Sequence, residues 1–108
     1  MAKKVILVDD SKNILATAQM AVEELAASGV VEFKTYLNPE ELLSNLKSGA
    51  ESFDLLISDI NMPQMNGLDL AREIKNDARF KQKPILILTT ESSADMKQRG
   101  KDIGVTGW

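Results

Sequence analysis

Four short apolar runs, separated by stripes of helical period, confine this chain to a narrow set of folds. The runs are Val5-Ile6-Leu7-Val8, Val30-Val31 continuing to Phe33 and Tyr36, Leu55-Leu56-Ile57, and Ile85-Leu86-Ile87-Leu88. The first, third and fourth are apolar at every position, which suits strands buried on both faces of a parallel sheet. The second places Glu32 and Lys34 between Val31, Phe33 and Tyr36, an edge-strand pattern with one face partly wet. Ile14, Leu15, Ala18, Val22, Leu25 and Ala26 form one helical stripe, and Gly29 ends it. Asn38-Pro39-Glu40-Glu41 opens a second helix with a cap, a proline at the first position and acids in the first turn. Leu42, Leu43 and Leu46 are its buried stripe. Asn66-Gly67 precedes a third stripe, Leu68, Ala71 and Ile74. Ser92-Ser93-Ala94-Asp95 starts a fourth helix, poor in apolar residues and interrupted by Gly100, which is expected to be the most mobile.

Strand and helix thus alternate four times, which means an α/β fold: a doubly wound parallel sheet with right-handed crossovers. The length fits one domain over residues 1–108. Gly104-Val105-Thr106-Gly107-Trp108 reads as the lead-in to a fifth strand, so the domain is expected to be incomplete at its C-terminal end.

What the chain lacks removes several chemistries. It has no cysteine and no histidine, so a disulfide framework, structural zinc and Ser-His-Asp or Cys-His machinery cannot be built from it. Thirteen basic against sixteen acidic residues give a net charge of -3. Phosphate backbones select basic surfaces, so nucleic acid is not an expected partner. The apolar runs fall far short of a membrane span, and the one after Lys3-Lys4 is too short for a signal peptide. A cytoplasmic protein without membrane association is expected.

Open α/β sheets bind ligands beyond the carboxyl ends of their strands, where the strand order reverses. The residues due there are Asp9, Asp10 and Ser11, then Ser58 and Asp59 followed by Ile60-Asn61-Met62-Pro63, then Thr89, Thr90 and Glu91. Asp9-Asp10 could serve as helix caps and Asp59 as a turn acid before Pro63. Neither role requires three carboxylates to cluster, and clustered carboxylates repel. A cation relieves that repulsion. Oxygen ligands without His or Cys select a hard ion, Mg²⁺ or Mn²⁺. Mg²⁺ typically takes one or two carboxylates together with a phosphate oxygen, which points to phosphoryl chemistry. No glycine-rich phosphate loop follows the first strand. An aspartate nucleophile, a metal and a hydroxyl remain, and aspartates do form aspartyl-phosphates.

Val8-Asp9-Asp10-Ser11, Ser58-Asp59-Ile60-Asn61-Met62-Pro63-Gln64-Met65-Asn66-Gly67, Leu88-Thr89-Thr90-Glu91 and Gly104-Val105-Thr106-Gly107-Trp108 together resemble the receiver domain of two-component response regulators, most nearly the single-domain chemotaxis type. The resemblance implies a flavodoxin-like sheet, order 2-1-3-4-5, flanked by five helices; here that becomes 2-1-3-4 with the fifth strand and helix missing. It implies Asp59 as phospho-acceptor and Mg²⁺ on Asp10, Asp59 and the Asn61 carbonyl, with Asp9 acting mainly through water. Thr89 contacts the phosphoryl group and switches with it, and Trp108 is the switch aromatic where the family usually has Tyr or Phe. A histidine kinase is the implied phosphodonor and a downstream protein the target. The family's Lys-Pro pair lies just beyond Trp108 and is absent, which is expected to impair phosphorylation. Asn66 stands where many members have Asp.

Lys83, Lys97 and Lys101 read as solvated charges, Lys3-Lys4 as a strand flank, and Met20, Met62, Met65 and Met96 as packing residues. Two rival readings stand beside the signalling one. A Mg²⁺-dependent phosphatase with an aspartate nucleophile usually needs Asp-x-Asp on the first strand, whereas Asp9 and Asp10 are adjacent. An engineered or folding fragment would carry the same residues as a vestigial site. The signalling reading expects no enzyme beyond slow self-dephosphorylation. An open fourth-strand edge and a bare sheet face are expected to make the chain a homodimer or segment-exchanged oligomer, with Trp108 buried at the junction.

Overall fold

The computed structural model describes residues 2–88 and 93–107. Four parallel strands, β1 (Lys3–Val8), β2 (Val31–Tyr36), β3 (Leu55–Ser58) and β4 (Ile85–Ile87), lie in the order β2-β1-β3-β4. The helices are α1 (Lys12–Ala21), α2 (Glu23–Ala27), α3 (Pro39–Ser48), α4 (Gly67–Lys75) and α5 (Ala94–Ile103). Two of the fully apolar runs became the central strands β1 and β3 and the third became β4 at one end of the sheet, while the alternating run became β2 at the other end. From β1 the chain moves first to one side and then to the other. Right-handed crossovers therefore put α1 and α2 on one face of the sheet and α3, α4 and α5 on the opposite face. The strand order reverses between β1 and β3, whose last residues, Val8 and Ser58, are register partners. Whatever follows those two residues shares one crevice.

The main core fills the α3–α5 face. Ile6 and Val8 of β1, Tyr36, Leu56 and Ile85 pack against Leu42, Leu43 and Leu46 of α3 and Leu70, Ala71 and Ile74 of α4. Phe53 stacks on Phe80 with ring centroids 5.3 Å apart, closing the end of the sheet away from the crevice. Ile60, Leu68 and Ile87 form a second cluster, to which Met96 and Ile103 of α5 add. The expected helix caps formed. Asn38 accepts the Glu40 N–H at 2.8 Å with Pro39 in the first turn, and Ser93 accepts the Met96 N–H at 3.2 Å.

The other face departs from the sequence reading. The single helix expected from Ile14 to Ala26 is two segments, broken at Val22 (φ -102°, ψ 6°). A β-branched residue tolerates the crowding of a helix turn poorly, and Val22 sits where that crowding is relieved. Of the expected stripe only Leu15 is buried. Ile14 and Leu25 are 45% and 48% exposed. Val5, Phe33, Leu55, Ile57 and Leu86 alternate onto this face and are half-buried, because α1 and α2 cover only part of it. Met20 is exposed, whereas Met62 is buried and Met65 and Met96 are partly so. The edge of β4 is less open than expected. Gly107 bridges to Leu86 in parallel, the Ile87 N–H donates to Gly107 O at 3.1 Å, and the Thr106 N–H donates to Ile85 O at 2.8 Å. The fifth-strand lead-in thus already lies alongside β4. Trp108, expected at an oligomer junction, lies outside the described residues.

Lys4 is more than a strand flank. Its ammonium pairs with Glu51, a buried carboxylate in the α3–β3 loop, and with Glu32 at 3.4 Å. Glu51 also accepts from the Tyr36 hydroxyl at 2.6 Å and pairs with Lys34 at 2.9 Å, while Asn45 of α3 donates to the Tyr36 hydroxyl at 3.1 Å. Burial pushes the Glu51 carboxyl up, but Lys4, Tyr36, Lys34 and the Ser52 N–H outweigh it and hold its pKa at about 2.

Candidate metal and phosphoryl site

Asp9 and Asp10 follow β1, and Asp59 follows β3. Because Val8 and Ser58 are register partners, the three acids meet across the crevice. Each offers a carboxylate oxygen, and these oxygens lie within 4.8 Å of one another. Asp9 is buried, Asp59 half-buried and Asp10 exposed, so the cluster grades from the core out to solvent. Among the described residues no lysine or arginine forms an ion pair with any of the three.

Capping does not account for these acids. Ser11 is the cap of α1, accepting the Ile14 N–H at 3.3 Å. Asp9 accepts the Ser11 N–H at 2.9 Å, one residue short of the helix. Burial pushes the Asp9 carboxyl above the usual range. The Ser11 N–H works against that shift, and the charges of Asp59 and Asp10 add to it. A carboxylate desolvated beside two others is the arrangement a divalent cation stabilises. An all-oxygen donor set fits a hard ion of the Mg²⁺ kind.

The backbone fixes each acid. The Asp9 N–H donates to Tyr36 O at 3.1 Å and the Asp59 N–H to Val8 O at 3.2 Å, which locks both to the ends of neighbouring strands. Asp59 Oδ1 accepts the Ile60 N–H at 2.8 Å, and the buried Ser58 hydroxyl donates to Asp59 O at 2.8 Å. The fully buried Ile60 pins the loop into the second core cluster, and its carbonyl accepts from the N–H groups of both Met62 and Gly67. Asn61, expected to offer its main-chain carbonyl, is exposed next to this anchor. Thr89, expected as phosphoryl contact, and Trp108, expected as switch aromatic, lie outside the described residues.

Two contributors escaped the sequence reading. Gly67 begins α4 so close to the Asp59 loop that a Cβ would overlap the carbonyl oxygen of Asp59 and approach Ile60 Cα to 3.1 Å. The dipeptide Asn66-Gly67 was visible as a turn and cap signal, but the close approach is tertiary. The second is Tyr36, whose carbonyl holds the Asp9 N–H while its hydroxyl is tied to Glu51. No local pattern joins an edge-strand tyrosine to a loop glutamate.

Among the described residues no helix is long and apolar enough to cross a membrane. The family model of the response regulator receiver domain matches residues 5–108. Chemotaxis protein CheY1 of Helicobacter pylori is 36% identical over 88 residues, which is 82% of this chain and 68% of that protein. Chemotaxis protein CheY of Pseudomonas aeruginosa is 31% identical over 105 residues, 97% of this chain and 81% of that one. Among solved structures, the chemotaxis response regulator CheY4 of Vibrio cholerae superposes with a TM-score of 0.81 at 40% identity, covering all of this chain and 85% of that one. The phosphorylated cyanobacterial phytochrome response regulator RcpA superposes with a TM-score of 0.88 at 27% identity, covering 99% and 79%. With a 2-1-3-4 parallel sheet, an acidic crevice at its switch point and a family match across nearly the whole length, this chain belongs to the response regulator receiver domains and is similar to the CheY-type chemotaxis regulators.

Proposed function

We propose that the chain is a phospho-accepting signalling domain in which Asp59 takes a phosphoryl group from the phosphohistidine of a partner histidine kinase and passes the state to a downstream protein. The observation that carries this reading is the gathering of Asp9, Asp10 and Asp59 within 4.8 Å with no cationic side chain of the described residues paired to them. Mg²⁺, when bound by Asp10, Asp59 and the Asn61 carbonyl, supplies charge neutralisation for the incoming phosphoryl oxygens. Asp9 shapes the inner wall and acts mainly through water. Asp59 Oδ1 is held by the Ile60 N–H, which leaves the other oxygen for the attack. That oxygen forms the O–P bond as the P–N bond to the donor imidazole breaks, and the leaving nitrogen takes a proton. Thr89 supplies a hydroxyl to the transferred group and Trp108 responds to it. The chain acts as a switch and turns over no small substrate beyond slow self-dephosphorylation.

The test is acid-quenched mass spectrometry after incubation with Mg²⁺ and a small acyl-phosphate. Label is expected on Asp59 alone, and label elsewhere, or label surviving in Asp59→Ala, rejects the reading. Sustained turnover of a phosphate monoester would instead support a phosphatase. Asp10→Asn removes an exposed carboxylate without opening the core, so it should weaken Mg²⁺ binding by tenfold or more while leaving the fold intact. Calorimetric titration of both chains checks this, and equal affinities would remove Asp10 from the site.

The same reading includes association of two copies of this 108-residue chain through the half-covered face of Ile14, Leu25, Leu55, Ile57 and Leu86. An apolar patch of this kind is rarely left open to water. Light scattering across a wide concentration range should show mass rising above the monomer. A monomer at high concentration with cooperative unfolding would show that α1 and α2 cover the face sufficiently.

A further inference from the structure

Asn66-Gly67 is the dipeptide in which a main-chain nitrogen can reach a side-chain amide with least hindrance, because glycine sets no side chain beside its nitrogen. The five other asparagines, Asn13, Asn38, Asn45, Asn61 and Asn76, precede Ile, Pro, Leu, Met and Asp, all bulkier or, for proline, without an N–H. In the reaction the Gly67 nitrogen gives up its proton and bonds to Asn66 Cγ. The Cγ–Nδ2 bond breaks and ammonia leaves. Water then opens the resulting succinimide at either carbonyl, giving aspartate or an isoaspartyl link with one extra main-chain carbon.

The fold holds both reacting groups away from this path. The Gly67 N–H donates to Ile60 O at 2.9 Å, so the proton it would have to give up is engaged in the loop anchor. The Asn66 side chain is turned to the helix, with Oδ1 accepting the Leu68 N–H at 2.7 Å and the backbone extended at ψ 140°. Gly67 is buried and has no room to shift toward Asp59. We infer that Asn66 is a deamidation site shut by the native fold, and that it reacts only when the acceptor loop lifts off the start of α4. Amide loss at Asn66 is then a chemical record of how often the Asp59 loop opens. The two products differ in consequence. Aspartate caps a helix as well as asparagine does. The isoaspartyl link lengthens the main chain where Gly67 leans on Asp59, and dislodges both. This inference rests on the hydrogen bonds of the turn and is independent of the phospho-acceptor reading.

The experiment incubates the chain at mildly alkaline pH, with and without denaturing urea, and follows each asparagine by peptide mass spectrometry. Asn66 should be the first to lose its amide in urea. Breaking two hydrogen bonds of ordinary net strength corresponds to a native rate about thirtyfold lower. Equal rates in the two conditions, or another asparagine reacting first in urea, would overturn the inference. The aged chain is then separated by charge and melted beside Asn66→Asp. Asn66→Asp should melt with the parent and the isoaspartyl fraction clearly below it. If the two acidic forms melt together, the link between this turn and the acceptor loop is wrong.

Discussion

Gly67→Ala is expected to destabilise the chain by about 3 kcal/mol or more, a larger loss than overpacking usually brings. The reason is what the new methyl group would strike. Most small-to-large changes push on side chains that can find another rotamer. Here the obstacle is the carbonyl of Asp59 and the Cα of Ile60, both main chain, in a loop tied down by the Asp59 N–H to Val8 O and by the Met62 and Gly67 N–H groups to Ile60 O. The Gly67 backbone is not in a left-handed conformation, so torsional strain contributes nothing and the whole effect is steric. Relief requires α4 to slide back or the Asp59 loop to move out. The first option breaks the Gly67 to Ile60 hydrogen bond and unseats Leu68 and Leu70, both fully buried. The second displaces Asp59 from Asp9 and Asp10. In a chain of this size the melting temperature should fall by about 12 °C, and any folded fraction should bind Mg²⁺ less well. Urea unfolding followed by circular dichroism measures the first effect and calorimetry the second. Stability equal to the parent would mean that the α4 start and the loop are not in contact in solution.

Acidification should remove a stabilising contribution of about 3 kcal/mol from Glu51. Its carboxyl titrates at about 2 in the folded chain against an ordinary 4.5. A folded pKa below the unfolded one means that the contribution is complete above pH 4.5 and is lost as pH falls toward 2. The groups responsible come from several elements: Lys4 of β1, Lys34 and the Tyr36 hydroxyl of β2, with Glu32 sharing Lys4 and Asn45 of α3 bracing the tyrosine. Asp9 runs the other way. Its folded carboxyl is raised by burial and by Asp59 and Asp10, so protonating it on acidification favours the folded state. Glu51→Gln keeps the shape and an acceptor for Tyr36 but leaves Lys4 and Lys34 without a counter-charge. It should be destabilised at neutral pH, with a much flatter pH dependence between 4.5 and 2. Denaturant midpoints across that range, for both chains, decide the matter. Parallel curves would show that Glu51 does not set the acid limb.

The parts of this molecule that could be read in one dimension are those whose physics is local or strictly periodic. Strands buried on both faces leave an uninterrupted apolar run, so β1, β3 and β4 were legible, as was β2 through the alternation of Glu32 and Lys34. The order of strands and helices then placed Asp9, Asp10 and Asp59 together, because parallel sheets gather strand ends at a switch point. Pairing across distance was not legible. Glu51 lies between Ala50 and Ser52 with nothing beside it to show that its partners are on β1 and β2. Gly67 looked like half of a turn signal, since the carbonyl that requires it to be glycine comes from the opposite side of the loop. Helical period carried the stripe from Ile14 to Ala26 through Val22, but period does not report what lies opposite. Ile14 and Leu25 have the spacing of core residues without the burial.

The charged residues of the edge strand β2 bear on strand addition by a second copy. A sheet with two free edges can add copies end to end, the last strand of one against the first strand of the next, and such a head-to-tail contact does not close. It grows into a fibre. On β2, Glu32 and Lys34 are exposed charges on the sheet face beside the open edge, and Lys34 pairs with Glu51 at 2.9 Å. An approaching chain must strip water from both charges and pull the lysine from its partner, which is how natural sheets discourage strand addition. The apolar face beneath α1 carries no such guard. The association of two copies proposed above would then use that face, which two molecules can share symmetrically, and would end at two.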